Sequence, residues 1–91
     1  MSLSIRFLGT SASRPTTERN VTALTMIREG ETLLFDCGEG TQRQMMRYGI
    51  SFALCDIFFT HMHADHMLGV TGLLRTLALQ GRTEPMNLYA P

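Results

Sequence analysis

The three histidines of this chain, His61, His63 and His66, fall within six consecutive residues, and Asp65 stands among them. In extended backbone, residues two apart point to the same side, roughly 6–7 Å from one another. His61 and His63 can therefore grip one metal ion together. Asp65 and His66 come next, where the chain must turn, and that turn can aim both at a second ion beside the first. Imidazole and carboxylate donors suit zinc, and also manganese or iron. Two ions roughly 3.5–4 Å apart can hold a hydroxide between them and clamp a phosphodiester, making a nucleophile from water at neutral pH. Exposed histidines that collect a metal adventitiously are the competing explanation. Met62 and Ala64, between the donors, read as packing residues.

The flanking elements decide whether these side chains can meet. Residues 55–59 form a short apolar run, a buried strand that delivers the chain to His61. Residues 67–80 read as a helix, with Val70, Leu73, Leu74 and Leu77 on one face at helical spacing and Gly81 closing it. Leu3, Ile5 and Phe7 alternate with Ser4, Arg6 and Leu8, a strand ended by Gly9. A polar loop follows over residues 9–20, long for a compact domain. Residues 21–28 form a second strand, with Val21, Ala23, Thr25 and Ile27 on one face. Glu29-Gly30 makes a tight turn into a third strand over 32–35. Residues 41–48 suit a short helix capped by Gly49, and residues 86–90 a last strand. A hairpin followed by strand–helix–strand units predicts an α/β arrangement.

Composition bounds the function. The chain has 91 residues, 44% of them hydrophobic, enough for one small domain with a core and too ordered a mixture for a disordered segment. Eight basic residues, all arginine, balance eight acidic ones, which argues against holding nucleic acid by bulk charge alone. Cys37 and Cys55 form no Cys-x-x-Cys pair and read as buried free thiols, suited to a reducing cytoplasm. The start lacks the basic residues and long apolar core of a secretory signal, and no apolar run approaches a membrane span, so no membrane partner is expected. Met45 and Met46 read as core fillers. Gly38 and Gly40 either present backbone N–H groups to a phosphate or make a tight strand-to-helix turn, the second being the commoner use of glycine. Gly9-Thr10-Ser11, Arg14 and Arg19 could contact RNA or simply be solvated loop residues.

The string Thr60-His61-Met62-His63-Ala64-Asp65-His66, after an apolar strand and before a helix, carries the His-x-His-x-Asp-His signature of the metallo-β-lactamase fold superfamily. Residues Phe7–Ser13, Arg19–Thr22, Leu34–Gln42 and Gly72–Leu74 narrow the match: together, in collinear order, they resemble ribonuclease Z, the tRNA 3′-processing endonuclease of that superfamily. The resemblance runs from Leu3 to Pro91. It implies an α/β fold, the N-terminal part of a metallo-β-lactamase αββα sandwich with a mixed sheet and helices, incomplete at 91 residues and without an internal boundary over 1–91.

By that resemblance, His61 and His63 are ligands of a first zinc, and Asp65 and His66 of a second. Asp65 is also the catalytic residue that assists proton transfer with the water between the ions. Manganese or another divalent ion could replace zinc. Asp36 matches an aspartate that orients ligand histidines from behind, although capping the turn that follows it would explain the residue equally well. The implied substrate is precursor tRNA, cut by metal-activated water, and the implied assembly is a cytoplasmic homodimer; the substrate-binding residues are unknown. Two later histidines, a bridging aspartate and a tRNA-gripping arm complete the family's enzyme, and none follows His66 here, so the 91-residue chain alone is expected to be inactive. The alternatives are another hydrolase of the superfamily, arylsulfatase-like or a cyclic-nucleotide phosphodiesterase, and a non-catalytic metal-binding fragment.

Overall fold

The computed structural model describes residues 2–91. Five strands form one mixed sheet in the order β1 (Leu3–Gly9), β2 (Ala23–Arg28), β3 (Glu31–Phe35), β4 (Asp56–Phe58) and β5 (Asn87–Tyr89). The first three pair antiparallel, while β3, β4 and β5 run parallel. The β2–β3 turn places Glu29 at φ 51 and Gly30 at φ 84, the left-handed pair that a two-residue hairpin needs. Parallel pairing requires crossovers, and the chain supplies them with helices α1 (Thr41–Arg47) and α2 (Gly69–Leu79).

Strand alternation divides the sheet into two unlike faces. Ala23, Leu34 and Ile57 point to the side where Met45 of α1 and Leu73 and Leu77 of α2 pack, and with Leu8, Leu54 and Phe59 they form the buried core. The opposite face carries Ile5 and Phe7 of β1, which stay exposed, and a stack of rings running across the strands. Phe35 lies 5.1 Å from Phe58, and Phe58 lies 4.7 Å from Tyr89, each pair nearly parallel. The helices therefore cover one face and leave an apolar face open.

Element positions match the sequence reading closely, with four corrections. The helix expected from Met67 begins at Gly69, because Ala64–His66 first forms a separate 3-10 turn. Leu74 is exposed: the buried stripe of α2 is Gly69, Leu73 and Leu77, spaced four residues apart, and Leu74 lies one position round the helix from it. Met45 is fully buried as expected, but Met46, one residue round the helix, faces solvent at 59% exposure. Cys37 is buried, whereas Cys55 is only half-buried, just before β4, within reach of Arg82. Both cysteines are free thiols. Among the described residues, no helix is long and apolar enough to cross a membrane.

Candidate metal centre

The predicted site residues gather at the C-terminal ends of β3 and β4, the edge where parallel sheets place their ligands. Adjacent strands bring their ends together: Phe35 is in register with Phe58, and the Asp36 amide donates to the Phe58 carbonyl at 2.7 Å. Asp36 then turns left-handed at φ 62, a conformation aspartate tolerates better than most residues. The turn throws its buried carboxylate across to the next strand end. Oδ1 accepts the Thr60 amide at 2.8 Å, and Oδ2 accepts the Thr60 hydroxyl at 2.7 Å. Oδ2 also lies 3.0 Å from Nδ1 of His66. Asp36 thus ties β3 to the histidine segment and does not cap the turn that follows it. The Thr41 hydroxyl, donating to the Gly38 carbonyl at 2.6 Å, serves that turn.

These bonds set the chemistry of the rings. With Nδ1 of His66 donating to a carboxylate, its Nε2 keeps the lone pair that a metal needs. Thr60 does the same for His61. Its hydroxyl proton goes to Asp36, which leaves Oγ1 to accept from Nδ1 of His61, 3.1 Å away. Thr60 is a linking residue of the candidate site that sequence reasoning passed over. It stands at the head of the histidine motif, yet nothing in its spacing shows that it links a carboxylate on one strand to a ring on the next.

The rings of His61 and His63 lie 5.8 Å apart between centroids, on the same side as the extended spacing predicts, and those of His61 and His66 lie 4.9 Å apart. Asp65 Oδ2 sits 3.6 Å from Nε2 of His66. That separation suits two donors on one ion, since bonds of about 2.0–2.1 Å at tetrahedral angles place neighbouring donors roughly 3.4 Å apart. Asp65 also accepts the backbone amide of Ser13 at 2.9 Å. The Ser13 amide, then the positive tendency of His66 and His63 nearby, hold the Asp65 carboxyl below its ordinary range against a partial desolvation. The residues present fit a divalent ion in donor type, in pairing and, for His61 and His66, in tautomer. They meet as pairs: among the described residues, no three His, Cys, Asp or Glu side chains form one group ready to hold an ion.

Close backbone packing fixes the segment. The Cys37 amide donates to the His66 carbonyl and the Gly69 amide to the Cys37 carbonyl, both at 2.8 Å. A Cβ on Gly69 would fall 2.0 Å from the Gly38 carbonyl oxygen, and one on Gly38 would fall 2.6 Å from the Asp65 carbonyl oxygen. The Gly38 amide is occupied by the Thr22 carbonyl at 3.2 Å. Gly38 opens the turn in which the Thr41 amide donates to its carbonyl at 3.1 Å, and the packing around it leaves no room for a side chain. Arg14 and Arg19 lie exposed on the loop beside the site.

This fold and this arrangement of donors define a metallo-β-lactamase fold protein. The model of the family described as Anti-Pycsar protein Apyc1 matches residues 3–91, and the chain belongs to that family. It is 75% identical over 91 residues to a ribonuclease Z of Gemmatimonas aurantiaca, covering all of this chain and 29% of that protein. Among solved structures it is similar to the short form of human tRNase Z, with 44% identity and a TM-score of 0.87, covering 96% of this chain and 33% of the human chain. The metallo-β-lactamase fold protein YhfI of Bacillus subtilis shares the fold, with a TM-score of 0.83 at 18% identity, over 97% of this chain and 37% of its own. The chain thus spans about a third of the length of the proteins it matches.

Proposed function

We propose that these residues form the metal-binding part of a zinc-dependent endoribonuclease that removes the 3′ trailer from precursor tRNA. The observation that carries this reading is the Asp36–His66 contact at 3.0 Å, which turns Nε2 of His66 toward Asp65. A buried carboxylate behind an imidazole is the arrangement that prepares a histidine to ligate. His61 and His63 would hold one ion, and Asp65 and His66 a second. The names of the relatives support the substrate.

Bound divalent ions would lower the pKa of a coordinated water to about 7 and polarise the phosphoryl oxygen. The chain's own residues do the rest. Asp36 and Thr60 fix the tautomers of His66 and His61. Asp65, whose carboxyl the Ser13 amide holds below its usual range, presents an ionised oxygen beside Nε2 of His66, where it would ligate the second ion and face the coordinated water. Because the donors meet only as pairs, the isolated chain is proposed to lack turnover, with further donors supplied by the part of the family's length beyond these residues. A homodimer in the reducing cytoplasm is the setting proposed for the whole protein; the free buried thiol of Cys37 suits it.

The test is a chimera in which this chain replaces the matching 29% of the Gemmatimonas relative. It should release the trailer from a precursor tRNA with added zinc, and lose at least about 100-fold in kcat on Asp65→Ala. A folded chimera that leaves precursor tRNA intact and hydrolyses only a small phosphodiester, such as a cyclic nucleotide, would overturn the tRNA reading in favour of another hydrolase of this fold.

A further inference from the structure

The long loop between β1 and β2 reaches the metal centre by a route the sequence does not announce. We propose that Ser13 is a positioning residue for Asp65: its backbone N–H, contributed from 52 residues away, holds Oδ2 of Asp65 beside Nε2 of His66. This rests on the metal-centre reading above and deepens it.

The loop is built to deliver that amide. Its base is clamped where Thr10 and Ser11 both donate to the Asn20 carbonyl, at 3.0 and 2.9 Å, and where Ser11 bridges Val21. Its tip is folded on itself. The Ser11 hydroxyl donates to the Arg14 carbonyl at 2.5 Å, and the Arg14 amide to the Ala12 carbonyl at 2.7 Å. Between these bonds Ser13 adopts φ 69, a left-handed conformation unusual for a residue with a side chain. That turn aims the amide at Asp65. On the other side, the backbone of Asp65 is held by the 3-10 turn and by its close approach to Gly38, so what remains to be fixed is the rotation of its carboxylate. The Ser13 amide fixes it. The serine hydroxyl plays no part in this contact, so the requirements at position 13 are an N–H and a left-handed backbone.

Two substitutions separate these requirements. Ser13→Gly keeps the amide and favours the left-handed turn. Ser13→Val keeps the amide but, being β-branched, disfavours the turn. Zinc titration of the chain should show Ser13→Gly within about 2-fold of wild type and Ser13→Val weakened by about 10-fold or more, as for loss of a partner behind a ligand. Hydrogen exchange gives a readout independent of metal. The Ser13 amide should exchange about 10-fold faster in Asp65→Ala, with the Thr16 amide, bonded to the Arg19 carbonyl at 2.8 Å within the same loop, unchanged. Equal zinc affinity in both Ser13 variants, or a Ser13 amide indifferent to Asp65→Ala, would overturn the assignment. Protection of Ser13 with no zinc bound by wild type would instead count against the metal reading on which it rests. Zinc binding governed by Ser13, together with a folded, zinc-loaded chimera that leaves precursor tRNA intact, would uphold the positioning role and discard only the substrate.

Discussion

At the scale of single residues, Asp36 is the group that orients His66 directly and His61 through Thr60. It is 3% exposed and serves the Thr60 amide, the Thr60 hydroxyl and His66 at once. Asp36→Asn preserves the shape and tolerates the left-handed φ, but it places an NH2 against Nδ1 of His66. The ring must then carry its proton on Nε2, where the metal would bind. Zinc affinity should fall about 10–100-fold while the fold is kept, measurable by competition with a chelator. Cys37 offers a second test. Burial, opposed by the Thr41 hydrogen bond and aided by the neighbouring Asp36 charge, pushes its thiol from 9.0 up to about 12. The folded chain keeps that proton over a range in which the unfolded chain has lost it. Its contribution to stability is therefore full below pH 9.0 and declines from there through about pH 12. The slope is about 1.4 kcal/mol per pH unit where the two states differ by one proton. Denaturant unfolding across that range should show the slope in wild type and lose it in Cys37→Ala. The four metal-ligand candidates were legible because His61, His63, Asp65 and His66 are crowded into one short string. Thr60 and Ser13 were not, because each acts through a contact made only after separate strands and loops come together.

At the scale of elements, the site depends on a junction without side chains. The strand-end segment Asp36–Gly38 and the start of α2 approach so closely that Gly69 and Gly38 leave no room for a Cβ. Gly69→Ala should cost about 1–3 kcal/mol of stability by overpacking against backbone that cannot move aside, seen as a lower midpoint in urea. The strands were readable from period-two alternation in Leu3–Phe7 and Val21–Ile27, and the β2–β3 turn from Glu29-Gly30. The start of α2 was misplaced because apolar Met67 and Leu68 continue the helical pattern backwards. The turn that brings Asp65 and His66 together was expected from their place between strand and helix, but not its form as a separate 3-10 turn before α2. Met46 and Leu74 show the same limit: each is apolar and near a buried stripe, and only the angle of its helix on the sheet decides that it is exposed.

At the scale of the whole molecule, the sheet has one face covered by helices and one open. Ile5, Phe7 and the Phe35–Phe58–Tyr89 stack form an apolar surface of the kind soluble monomers rarely leave bare. The chain on its own should therefore self-associate at micromolar concentration, in a manner insensitive to salt. Sedimentation of wild type against Phe7→Ser/Phe58→Ser should show a shift toward monomer in the variant. The open face and the donors that meet only as pairs agree with the comparison to longer relatives: the chain covers about a third of each.

Whether the segment from His61 to His66 is a metal centre is decided by native mass spectrometry of the chain with metals retained. Wild type, loaded with zinc and then desalted, should carry bound zinc, and His61→Ala/His63→Ala should lose the tightly held ion. Equal zinc content in wild type and the double variant would rule out a metal centre here, leaving the histidines as surface residues on a fold whose chemistry lies elsewhere.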